Sequence, residues 1–382
     1  MHFISHVTGL FLTLLLLAPI EGRFVAAIHD EALRRARVWE EPATPIEEAK
    51  LDQTADGPGS FSADEIVECT FKPGPVSGTT PKFNCALPDG DIVKVKYGLS
   101  NPEVYTEVAA TRLLAALGFP TDRMYPVARV RCAGCPADPY AQTECASKLP
   151  DGASSAGCFP APDYTSSQDF DEAVIERPLE GRRIESKKER GWKWEELKFV
   201  DAVAGGASRA EIDAMRLLAI VLAHWDNKGR NQRLICQGET KADADCDHPL
   251  AMVQDLGATF GPLKLNLAAW SRTKIWADAA ACKVSMRGLP YGGSTFPDAY
   301  ISEEGRQFLG SRLARLSAAQ IRALFEGARF ARYPHRRASA RNVDNWVRAF
   351  QAKVRAIVDR PPCPADPMPT ATQRLATDPP RK

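Results

Sequence analysis

Near residue 180 the hydrophobic pattern changes period, and that change limits the folds open to this chain more than any other feature. Before it, short runs alternate apolar and polar residues, as half-buried strands do. After it, most apolar residues recur at helical spacing. Segregated strands and helices of this kind make an α+β protein in two lobes, and 382 residues are enough for two cores.

The β-patterned part has readable punctuation. Ile66–Phe71 is a strand, a Gly/Pro-rich turn runs from Pro73 to Pro81, and Lys82–Leu87 returns. Asp89-Gly90 is a hairpin signal leading into Ile92-Val93-Lys94-Val95-Lys96, with the two valines on one face and the two lysines on the other. A helix opens at Asn101-Pro102-Glu103, runs through Glu107 to Leu117 and stops at Gly118. Met124–Arg131 and Ala173–Ile175 complete the strands, with a Cys-rich loop insertion from Cys132 to Tyr164 between them. Glu176–Gly181, broken by Pro178 and Gly181, reads as a hinge.

In the second half, Trp192–Ala204 reads as one helix. Ser208–His224 reads as a buried helix whose Ser208 and Glu211 form a capping box. Gln232–Cys236 and Leu250–Val253 are strands, and Glu303–Arg315, Ser317–Phe330 and Val343–Val358 are helices. The expected organisation is a signal peptide over 1–22, a linker with a short helix over 23–60, the β-rich lobe over 61–180, the helical lobe over 181–360 and a Pro-rich disordered tail over 361–382.

Gly9–Ile20 is apolar and suits a signal-peptide core, with cleavage near Gly22 or after Val25-Ala26-Ala27. Membrane contact is expected only if this segment stays uncleaved. Ten cysteines fit an oxidising compartment, so the chain is expected to be exported, periplasmic or secreted. Cys69 with Cys85 and Cys236 with Cys246 flank turns, and Cys282 and Cys363 are left to pair with each other. Cys132, Cys135, Cys145 and Cys158 form disulfides or, alternatively, a zinc site. With 49 basic and 48 acidic residues, the chain has no overall pull toward nucleic acid. The basic stretches Arg182–Arg190 and Arg329–Arg337 read as solvated faces.

The densest chemical signal is His224-Trp225-Asp226-Asn227-Lys228-Gly229-Arg230-Asn231, between a buried helix and a strand. It resembles the catalytic loop of the protein kinases, with His two before the Asp and Asn five after it. By that resemblance Asp226 faces an acceptor hydroxyl, Lys228 stabilises charge on the moving phosphoryl group and Asn231 offers a hard oxygen to Mg²⁺. His224 is read as a satisfied structural histidine. Asp255-Leu256-Gly257, after an apolar strand, resembles the metal-binding Asp-Phe-Gly, with Asp255 on the metal and Gly257 turning the backbone. Lys96 and Glu107 resemble the kinase ion pair that places the nucleotide phosphates, with Lys94 and Glu103 as competitors.

Ser77-Gly78-Thr79-Thr80-Pro81-Lys82 lacks the usual Gly-rich pattern and looks more like the short loop of the bacterial persistence-toxin kinases, and loosely like lipid and secretory-pathway kinases. Gly78, Thr79 and Lys82 would then face phosphate, and Glu176 would meet adenine through the hinge backbone. The resemblance is to the protein-kinase-like superfamily in its atypical branches. It implies a bilobal fold, ATP and Mg²⁺ as cofactors, and an acceptor that is protein, lipid, sugar or small molecule. No Ala-Pro-Glu motif is present, so Ala258–Pro297, with Trp270, Arg272, Lys274, Trp276 and Arg287, has no assigned role. Three alternatives stay open: an inactive pseudokinase or nucleotide-binding module, an AMP transferase, and a metal hydrolase using His224, Asp226, His248 and Asp255.

Overall fold

The computed structural model describes residues 28–54, 56–150, 152–185, 190–238, 246–262, 264–290 and 292–365. The signal peptide and most of the Pro-rich tail lie outside the described residues. The chain is α+β in two lobes, as its patterning implies.

After helix α1 (28–34), the strands β1 (Ile66–Lys72), β2 (Lys82–Ala86) and β3 (Ile92–Lys96) lead into helix α2 (Glu103–Ala116). Strand β4 (Arg123–Ala133), helix α3 (Tyr140–Ser147) and strand β5 (Ser167–Arg177) complete the first lobe. The five strands close into a barrel in the order β1-β2-β3-β5-β4. Alternation explains its core: Phe83, Cys85, Val93, Val95, Val127 and Ile175 pack inside the barrel, so the lysines between them must face out. Helix α3 sits within the stretch expected as a plain loop insertion.

Two short strands, β6 (Arg182–Arg183) and β7 (Gln232–Gln237), flank helix α4 (Arg209–Leu222), and β8 (His248–Val253) follows. Strands β6, β7 and β8 form one sheet. Then come α5 (Leu267–Arg272), the paired strands β9 (Lys283–Val284) and β10 (Ala299–Tyr300), and helices α6 (Glu303–Ala314), α7 (Ala318–Gly327) and α8 (Val343–Val358). Ser208 caps α4 through the expected capping box with Glu211. Trp270 and Trp276 pack in the core, their indole N–H groups donating to the Val221 and Ala356 carbonyls.

Residues 192–204 do not form the single helix expected of them. They make two 3₁₀ turns, Trp194–Phe199 and Ala202–Ala204. Trp192 and Trp194 are both buried and touch edge to face, and a spacing of two cannot place both on one helix face.

Residues 28–54 are not a linker. Ala32, Leu33, Ala36, Val38, Ile46 and Leu51 belong to the main core. The segment bonds to the helical lobe through Arg37 N–H to the Pro249 carbonyl (2.9 Å) and Gln320 Nε2 to the Ile46 carbonyl (2.7 Å). It bonds to the barrel lobe through Glu40 N–H to the Gly118 carbonyl (2.9 Å) and Arg112 Nη1 to the Asp52 carbonyl (2.8 Å). Between this segment and α7, helix α2 is buried from Glu103 through Leu114.

All ten cysteines are paired, as Cys69–Cys85, Cys132–Cys135, Cys145–Cys158, Cys236–Cys246 and Cys282–Cys363. The zinc alternative falls, because a disulfide sulfur is not a thiolate ligand. Among the described residues no helix is long and apolar enough to cross a membrane.

Candidate functional site

The outer faces of β2, β3 and β5 carry the charges that the barrel interior excludes. Register places Lys82 opposite Lys96 and Lys94 opposite Glu176. The first two turns of α2 add Glu103 and Glu107. Lys96 donates to Glu107 Oε2, lies 3.1 Å from Glu176 Oε2 and 3.9 Å from Glu103 Oε2, and is fully buried. Lys94 bonds the other oxygen of Glu176 at 2.5 Å and stays a third exposed, which distinguishes the two lysines. Glu103 binds Lys82 at 3.2 Å, the Thr80 hydroxyl at 2.5 Å and Lys264 at 2.5 Å.

These contacts set the protonation pattern. Burial pushes the Glu107 carboxyl up to about 8 against the pull of Lys96, with Glu103, Asp255 and Glu176 adding to the rise. Burial also opposes ionisation of Glu103 and Glu176, yet the lysines around each hold it well below the usual carboxylate range. Burial disfavours the Lys96 charge, but Glu107, Glu176, Glu103 and Asp255 raise it well above an ordinary lysine.

The opposite wall comes from the helical lobe. Helix α4 ends at Ala223 in the left-handed region, and His224 follows, fully buried. Neither His224 ring nitrogen has a hydrogen-bond partner among the described residues, so it is not the satisfied histidine expected. Burial lowers it to about 4 despite the nearby charges of Asp255 and Asp226, leaving it neutral at pH 7. Lys228 Nζ lies 2.7 Å from Asp226 Oδ1, and both side chains are partly open to solvent. Asn231 donates Nδ2 to the Asp226 carbonyl at 2.6 Å, which leaves its Oδ1 free to accept. The Asn231 carbonyl accepts the Gln254 N–H at 3.0 Å, fixing the loop beside Asp255.

Asp255 joins the two walls. Its carboxylate lies within 4.8 Å of those of Glu103 and Glu107. Asp255 itself takes the left-handed conformation (φ 54°), the turn expected of Gly257. Gly257 serves a different end: a Cβ there would stand 2.5 Å from Glu103 Cγ and 3.0 Å from Glu107 Oε1. Its carbonyl accepts the Thr106 hydroxyl at 2.9 Å, so α2 rests on this turn. The Asp255 carboxylate and the Asn231 side-chain amide, on segments joined by the Gln254–Asn231 backbone bond, are hard-oxygen groups of the kind Mg²⁺ takes. The Glu103 oxygens do not, because ammonium groups and Thr80 already hold them.

Two expected residues stand elsewhere. Glu176 is not in the hinge: β5 runs to Arg177, its backbone pairs with Lys94 and Met124, and its side chain enters the ion lattice. Lys82 is not in the loop either but begins β2, buried against Glu103. Gly78 and Thr79 remain exposed on the loop, and the Gly78 carbonyl accepts the Tyr140 hydroxyl of α3 at 2.8 Å. His248 is exposed at the start of β8, seven residues before Asp255. A strand of that length separates them by roughly 20 Å, so the hydrolase set does not assemble.

Several residues were not singled out in the sequence. Asp122 accepts from the Leu179 N–H at 2.9 Å and from Gln254 Nε2 at 2.6 Å, tying the hinge to the residue before Asp255. Asn227, fully buried, donates to the His224 carbonyl at 2.9 Å and accepts from the N–H groups of Thr295 (3.1 Å) and Phe296 (3.2 Å) and from the Ser294 hydroxyl. It thereby fastens the 294–296 segment of the unassigned region beside Asp226. Position inside the eight-residue motif was the one available signal for Asn227. Lys264 and Asp122 had none.

The sequence matches no family model and no curated protein. Among solved structures, the crystal structure of a Helicobacter pylori proinflammatory kinase, CtkA, aligns over 83% of this chain and 100% of its own, at 11% identity and a TM-score of 0.41. At that score the functional reading rests on the residues of this chain.

Proposed function

We propose that this chain is an exported, atypical kinase-like phosphotransferase that moves the γ-phosphate of ATP to a hydroxyl acceptor, with Mg²⁺. The observation that carries the reading is the meeting of two walls. A buried lysine held by an α2 glutamate stands on one, and Asp226, Asn231 and Asp255 gather on the other.

In this reading Lys96, fixed by Glu107 and Glu176, binds the α- and β-phosphates, and the loop around Gly78 and Thr79 covers them. Asp255 and Asn231 Oδ1 would hold Mg²⁺, which when bound would neutralise phosphate charge. Asp226 orients the acceptor hydroxyl and receives its proton as the acceptor oxygen bonds to the γ-phosphorus and the bond from that phosphorus to the ADP oxygen breaks. Lys228 donates to the oxygens of the group in transit, where negative charge spreads. Glu176 acts by positioning the two lysines of β3. Five disulfides support export, since such bonds persist in oxidising compartments.

The test is thermal stabilisation of the oxidised protein by ATP with Mg²⁺, beside Asp255→Ala, and turnover beside Asp226→Ala. Stabilisation in the parent and its loss in Asp255→Ala are expected, together with a fall in turnover of about 10²–10⁴-fold in Asp226→Ala. Equal stabilisation of parent and Asp255→Ala would remove the metal assignment. Nucleotide binding with no turnover in the parent selects the nucleotide-binding module instead.

A further inference from the structure

A cavity of about 720 Å³ lies in the helical lobe, between residues 264–271 and residues 333–349. Its charged lining is entirely basic: Lys264, Arg336, Arg337 and Arg348. Among the described residues no aspartate or glutamate lines it. The arginine-rich run ending at Arg337 reads from sequence as a solvated face. Its first members do bond elsewhere, Arg329 to the Val127 carbonyl and Arg332 to Glu172. Arg336 and Arg337 instead turn to the cavity, exposed, and form no ion pair among the described residues. Arg348, on α8, also lines the cavity and is oriented by a hydrogen bond to Asn345 Oδ1. His335, buried and lowered by that burial, adds a neutral wall.

We propose that this cavity binds a small molecule carrying two or more phosphate groups. Guanidinium groups match phosphate oxygens in planar, two-pronged hydrogen bonds. Three of them line the cavity from two separate elements, and together they carry more N–H donors than the oxygens of one phosphate can accept. The volume falls in the range of small-molecule sites, about 300–1,000 Å³, and exceeds what a single phosphate fills. An uncompensated cluster of cations also repels itself, and a multivalent anion relieves that repulsion. Lys264 lines the cavity and links it to the cleft through its bond to Glu103. The assignment does not depend on the chemistry of the cleft.

The experiment is calorimetric titration of the oxidised full chain with sodium tripolyphosphate in EDTA, beside orthophosphate. The variants are Arg336→Ala/Arg337→Ala, Arg348→Ala and Asp255→Ala, and the arginines are exposed enough to replace without unfolding the chain. Tripolyphosphate is expected to bind at least tenfold more tightly than orthophosphate. Its affinity should fall at least tenfold in each arginine variant, stay unchanged in Asp255→Ala and weaken with added salt. Affinity undiminished in both arginine variants, loss of binding in Asp255→Ala, or equal affinity for the two anions each overturns the proposal.

Discussion

Replacing Lys96 by Met removes one ammonium from a lattice of buried charges, and the structure says which carboxylate is left alone. Glu103 keeps Lys82 and Lys264, and Glu176 keeps Lys94. Glu107 has no other ammonium within ion-pair distance among the described residues, and its second oxygen already lacks a hydrogen-bond partner. Removing one member of a buried ion pair costs about 3–5 kcal/mol, because the group left behind stays buried without its partner, either charged or at the cost of taking up a proton. Lys96→Met should therefore lose about that much stability. Glu107→Gln should lose no more than about 2 kcal/mol, since Lys96 still has Glu176 and Glu103. The double variant should recover at least about 2 kcal/mol over Lys96→Met, because the stranded carboxyl, which must either stay charged or take up a proton, is gone. Urea unfolding of the four oxidised proteins at pH 8, followed by tryptophan fluorescence, reads all three values. A Lys96→Met protein within about 1 kcal/mol of the parent, or a double variant no better than Lys96→Met, refutes the reasoning.

Other consequences can be measured alongside. Because the folded-state pKa of Glu107 sits near 8, above its unfolded value, the folded protein binds more protons than the unfolded one between about pH 4.5 and 8, and this contribution to stability falls as pH rises through that window. The stability of the parent relative to Glu107→Gln should accordingly decline from pH 5 to pH 8, and a flat difference across that range counts against the buried carboxyl. Asn227→Ala should cost about 2–4 kcal/mol, since it strands several polar groups around 294–296; faster proteolysis near Phe296 with unchanged nucleotide binding is the expected signature. Replacing Cys282 and Cys363 by Ser opens a loop spanning 81 positions and should cost about 4 kcal/mol by chain entropy, read as a lower urea midpoint with the barrel lobe still folded.

Local order was legible where short-range physics decides it. Asp89-Gly90 and strict alternation give the hairpin from Lys82 to Lys96 its strands, and Ser208 with Glu211 announces the start of α4. What could not be read is contact between distant segments. The sequence holds Lys264 and Glu103 161 positions apart, and no periodicity links them. Residues 28–54 look polar and Pro-punctuated, yet six apolar side chains spaced along them reach the main core. Gly257 was read as a turn residue when its need is close approach by α2, which depends on packing no local pattern encodes. Glu176 was misplaced because its strand extends two residues beyond the apolar run that marked it.

The segment over residues 28–54 has a mechanical consequence. Besides the hinge after Arg177, the lobes are joined by this strap, which bonds to β8 at Arg37 and to the turn after α2 at Glu40, and by direct side-chain bonds from Arg329 to the Val127 carbonyl and from Arg332 to Glu172. Movement of one lobe on the other must therefore break the strap's bonds as well as bend the hinge.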